Sequence, residues 1–75
     1  MFARWTQSRV PGQIQPTMRL ALRVGALGKG KIIKSVQYWT ESDRSRDEAE
    51  SVCLRIEEDA KAQGYIVLPD GEKMC

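Results

Sequence analysis

The chain contains no histidine. That removes the commonest general base, the commonest metal ligand and the usual pH switch together. Cysteine is almost as scarce: Cys53 falls inside a helical pattern and Cys75 is the last residue. Two thiols so far apart, with no imidazole, make neither a disulfide framework nor a zinc site, and Cys53 reads as a small buried hydrophobe. No run approaches the ~18 apolar residues of a membrane span. The opening stretch MFARWTQSRVPGQIQPT lacks the apolar core of a secretory signal. These absences predict a cytoplasmic, reducing setting, with no membrane contact, no metal and no cofactor. At 75 residues the chain is also too short for a dinucleotide-binding domain or a two-lobed active site. It suits one small domain, in which buried apolar area only roughly balances conformational entropy.

Acidic residues are missing from a whole half. The first 40 residues carry seven basic side chains and no acid, while the remaining 35 carry ten acids against five basic ones. The formal net charge of +2 conceals this. Two readings are open. The basic half meets a polyanion or an acidic protein surface, or the two halves pack together and complement each other.

What is present reads in order along the chain. Residues 1–16 look like a basic arm: Val10-Pro11-Gly12 is a breaker, and Pro16 biases Gln15 away from helix. Thr17 to Val24 alternates, with Met18, Leu20, Leu22 and Val24 on one face and Arg19, Ala21 and Arg23 on the other, the period of a half-buried strand. Gly25 to Gly30 holds three glycines in six residues and suits a hairpin loop. Lys31 to Trp39 is rich in β-branched and aromatic residues and predicts a second strand, with Ile32, Val36 and Tyr38 on one face and Ile33 and Trp39 on the other. Ser45-Arg46-Asp47-Glu48 has the form of a capping box, with Ser42 as a second cap candidate. The helix that follows carries Ala49, Val52, Cys53, Ile56 and Ala60 as one apolar stripe and stops at Gly64. Tyr65 to Leu68 reads as a third strand, Pro69-Asp70-Gly71 as a turn, and 72–75 as a tail. The expectation is a single α+β domain over 17–71, ordered β-β-α-β, with one helix across a small, mainly antiparallel sheet.

Chemistry has little to work with. Gly25 to Lys31 fits the first seven positions of a phosphate-binding loop, G-x-x-x-x-G-K, but Ile32 stands where Ser or Thr would hold magnesium. A β-branched run also follows where the helix should start, so the hairpin reading is preferred. Serine has no histidine to activate it, and the acids lie on a helix patterned to face solvent, so no catalytic group is assigned. Asp43, Asp47, Glu48 and Glu50 read as a solvated helix start rather than a cation site.

Binding remains. Arg19 and Arg23 project from the open face of the hairpin, with Lys29, Lys31 and Lys34 nearby. Such a face tracks a nucleic-acid backbone, or is simply solvated, since strand lysines also protect edges. Phe2, Arg4, Trp5 and Arg9 give the arm the residue types of interface hot spots, unless Trp5 folds back to cover the sheet. The acidic helix face, with Glu50, Glu57, Glu58 and Asp59, and a free strand edge are further surfaces.

The stretch from Arg19 to Gln63, with its basic hairpin and Ser45-Arg46-Asp47-Glu48-Ala49 helix start, resembles the arm-type DNA-binding domains of tyrosine integrases. Those place three strands before the helix, where two are evident here, and they are followed by a catalytic domain. The resemblance implies a sheet that enters the major groove, with Arg19, Arg23, Lys31 and Lys34 as contact candidates. Length and element order are also similar to small phage-encoded inhibitors of bacterial RNA polymerase and to some anti-CRISPR proteins, which implies a non-enzymatic occluder of a host machine.

The leading expectation is a non-enzymatic inhibitor or regulator, plausibly phage-encoded, that occludes a site on a protein machine. Arg4, Trp5, Arg19, Arg23, Lys31 and Lys34 are its contact candidates. The alternatives are a nucleic-acid-binding accessory module using the same basic face, and a structural subunit that self-associates, a homodimer among the outcomes.

Overall fold

The computed structural model describes residues 1–69 and Gly71. The expected tail over 72–75, with Cys75 in it, lies outside the described residues, as does the middle residue of the expected Pro69-Asp70-Gly71 turn. The fold is α+β: β1 (Phe2–Arg9), β2 (Thr17–Val24), β3 (Ile32–Trp39), α1 (Asp43–Ala62) and a two-residue β4 (Ile66–Val67). The sheet runs β3-β2-β1-β4, antiparallel except for the parallel β1–β4 pair.

The first correction concerns the N-terminus. Residues 2–9 are not an arm but an inner strand of the sheet, so three strands rather than two precede the helix. The Val10-Pro11-Gly12 breaker and Pro16 belong to the loop between β1 and β2, closed by the Val10 N–H donating to the Thr17 carbonyl at 3.0 Å. Phe2–Arg9 alternates as a strand must: Ala3 and Trp5 point into the core, Phe2, Arg4, Thr6 and Ser8 away from it.

The helix crosses one face of the sheet. Ala49, Cys53, Ile56 and Ala60 are buried against Ala3, Trp5, Leu20, Leu22 and Tyr38, with Val52 at the margin, so the expected stripe is the packed one. Its cap is Ser42, whose side chain accepts the Ser45 N–H at 3.2 Å. Ser45, the other cap candidate, instead accepts the Trp39 N–H on its hydroxyl at 2.9 Å and so ties the end of β3 to the helix start. Ser42→Ala should therefore cost about 1 kcal/mol of stability, read from the urea midpoint. A Ser42→Ala change that leaves the urea midpoint unmoved would contradict this assignment of the cap. At the other end, Gly64 at φ +98° ends the helix in the left-handed region that side chains avoid.

β3 holds a second correction. A register shift places Lys34 opposite Leu22 but Ile32 opposite Arg23, leaving Ile33 as the extra residue of a bulge. A bulge reverses the parity of everything beyond it. Ile33 therefore packs at the core margin, while Ile32 joins Arg23 on the far face, the reverse of strict alternation.

Candidate functional site

One face of the sheet is covered by α1. The other carries Phe2, Arg4, Thr6 and Ser8 from β1, Arg19, Ala21 and Arg23 from β2, and Ile32, Ser35, Gln37 and Trp39 from β3. Its cross-strand rows are Arg4–Arg23–Ile32, Thr6–Ala21–Ser35 and Ser8–Arg19–Gln37, with Thr17–Trp39 at the end. No acid lies on any of the three strands, and every acid of the described chain falls from Glu41 onward.

The glycine loop covers one end of this face. Gly28 is buried, and a Cβ built on it would stand 3.0 Å from Thr6 Cγ2 and 3.4 Å from Arg4 Cβ. At φ +65° and with that clearance, only glycine suits the position. The Arg23 Nε–H donates to the Gly30 carbonyl at 3.0 Å. Two like charges directly opposite on neighbouring strands, Arg4 and Arg23, repel. The loop carbonyl on Arg23 offsets part of that repulsion. The hairpin reading of Gly25 to Lys31 holds, because the segment joins two strands rather than opening a helix.

The six candidates therefore separate. Arg4, Arg19 and Arg23 share the open face, but Arg4 and Arg23 lie at the end the glycine loop covers and Arg19 towards the other end. Lys31 is exposed at the base of the loop. Lys34 does not belong with them: its register opposite Leu22 puts it on the helix side of the edge strand β3. Trp5 is the clearest correction. It is 0% exposed and its indole Nε1–H donates to Glu57 Oε1 at 2.7 Å, so it anchors the core rather than standing on the surface. Glu57 leaves the acidic surface for the same reason, at 8% exposure. Trp39, which belonged to none of the binding surfaces expected from the sequence, is half exposed on the open face, at 49%.

The remaining surface of α1 is charged and exposed, with an Arg44–Glu48 pair at 3.2 Å. Both side chains are well exposed, so the pair adds little stability. Among the described residues no three metal-ligating side chains come together, and no helix is long and apolar enough to cross a membrane. Comparison with protein-family models, with curated proteins and with solved structures finds no match.

Proposed function

We propose that this protein is a non-enzymatic binding module whose open sheet face lies against the sugar-phosphate backbone of a nucleic acid. The observation that carries the reading is the acid-free face formed by β1, β2 and β3, with Arg19 away from the glycine loop and Lys29 and Lys31 on that loop. A surface of one sign that neutralises phosphates gains affinity by releasing condensed counterions. Hydroxyls and an amide beside the arginines (Ser8, Ser35, Gln37) are donors of the kind that position a backbone without repelling it. The order of three strands before the helix also removes one departure from the integrase arm-type domains that the sequence resembles. The cytoplasmic setting expected from the thiols belongs to this same proposal.

The test is fluorescence anisotropy with short labelled DNA across a salt series. Log K should fall linearly with log[salt], and Arg19→Gln should reduce the slope by about one. No binding at low salt, or a slope unchanged by Arg19→Gln, sinks the reading.

The inhibitor reading rests on a different feature. β3 is an edge strand. Thr40 N–H bonds the Pro16 carbonyl, so the even residues of β3 from Val36 to Thr40 face β2 and the backbone groups of Ser35 and Gln37 point outward. Such an edge extends a partner's sheet. That reading requires a one-to-one complex with a protein that survives nuclease treatment and is lost when Gln37 is replaced by proline.

A further inference from the structure

Trp39 is placed for more than packing. Its register opposite Thr17 puts the ring on the open face, one row beyond Arg19 and Gln37. Its backbone N–H is held by Ser45 Oγ, so the strand end that carries the ring is fixed to the start of α1 rather than frayed. Beside it lies an open hollow of about 460 Å³, whose lining includes Thr17, Gln37, Trp39, Ser42 and Ser45. Arg44 and Glu48, both well exposed and 3.2 Å apart, also line the hollow, so it carries no net charge of its own.

A half-exposed aromatic ring, a margin of hydroxyl and amide groups, and an arginine about 7 Å along the neighbouring strand match the parts of one nucleotide. A flat base stacks on the ring, its polar edge meets the hydroxyls and amide, and its phosphate meets the guanidinium. We propose that Trp39 and the hollow beside it seat one unpaired base of a single-stranded nucleic acid, with Arg19 on the adjoining phosphate. The proposal rests on the backbone-binding reading and narrows it: a duplex keeps its bases stacked on one another and offers no free ring face to Trp39.

The chain reports on this directly. It has two tryptophans, and Trp5 is fully buried, so ligand-induced quenching of emission comes from Trp39. The probes are short oligo(dT) and oligo(U), with a mixed-sequence DNA duplex and inorganic polyphosphate as controls. Both single strands should quench the emission and bind more tightly than the duplex. Trp39→Ala should weaken oligo(dT) binding by about 5- to 150-fold, with the salt slope unchanged, while Trp39→Phe keeps most of the affinity because it keeps a ring. Far-UV circular dichroism confirms that each variant is folded. If the duplex and polyphosphate bind as tightly as oligo(dT), and Trp39→Ala leaves oligo(dT) affinity unchanged, the base seat is overturned while the backbone reading stands. If no nucleic acid or polyphosphate binds at all, both fall together.

Discussion

Trp5→Ala removes a large share of the stability of this domain, from about a quarter to all of it. Truncating a fully buried tryptophan costs about 3–5 kcal/mol through lost burial and the cavity left behind. A chain of this length has only about 4–11 kcal/mol in total. The indole also donates to the buried Glu57 carboxylate, so the truncation takes a hydrogen-bond donor from an acid held in the core as well as emptying space. The two effects separate by substitution. Trp5→Phe keeps a ring in place but removes the Nε1–H, and should lower the urea midpoint clearly. Glu57→Gln keeps an oxygen that accepts from the indole and should cost less. In the Trp5→Phe background, Glu57→Gln should recover part of the loss, because a neutral amide is cheaper to bury than a carboxylate. A double-mutant cycle that gives no coupling between positions 5 and 57 would show that the 2.7 Å contact contributes nothing.

The same contact explains what the sequence withheld. The helix was legible because Ala49, Cys53, Ile56 and Ala60 fall at helical spacing, and β2 because its apolar and basic residues alternate without a break. β1 was not, for it has only Ala3 and Trp5 on its inner face before Gln7, whose amide Nε2 reaches the Tyr38 hydroxyl at 3.0 Å. Two apolar residues next to a proline-bounded loop resemble an arm. The signal in hand was that Ala3 and Trp5 are spaced as in a strand, and that a Val-Pro-Gly breaker followed by a clear strand makes a hairpin. Glu57 was misplaced because an acid flanked by other acids on a helix reads as solvent-facing. Its contact with a distant indole belongs to the core, and spacing along one helix carries no trace of that. Ile32 went to the wrong face because a bulge does not show in composition, whereas Lys34 alternates with Val36 and Tyr38 and was grouped with the arginines by charge rather than by face. The open face itself was half legible: Arg19 and Arg23 came from the alternation of β2, whereas Trp39 joined them only once the strand register was known.

Gly30→Ala should move stability and binding in opposite directions. A Cβ at Gly30 would stand 2.5 Å from the Val24 carbonyl oxygen and 3.2 Å from its carbon. Those are backbone atoms of the preceding strand, and the Gly30 N–H already donates to that same oxygen at 3.0 Å. The loop must swing away, at a cost of about 1–3 kcal/mol, and the urea midpoint falls. The swing also breaks the Arg23–Gly30 hydrogen bond and lifts Gly28 from above Thr6 and Arg4. A guanidinium held in place by its Nε–H on a loop carbonyl is then free to turn towards a ligand, and the basic surface that can reach a phosphate extends from Arg19 towards Arg23 along β2. Affinity for DNA at low salt should rise rather than fall, and the salt slope should steepen by about one. Arg23→Gln in the parent chain should change the slope less than Arg19→Gln does, because the loop carbonyl fixes where that guanidinium points, whereas the same change in the Gly30→Ala background should cancel the gain. Binding that weakens in step with stability would show that the loop is part of the contact surface and not a cover over it.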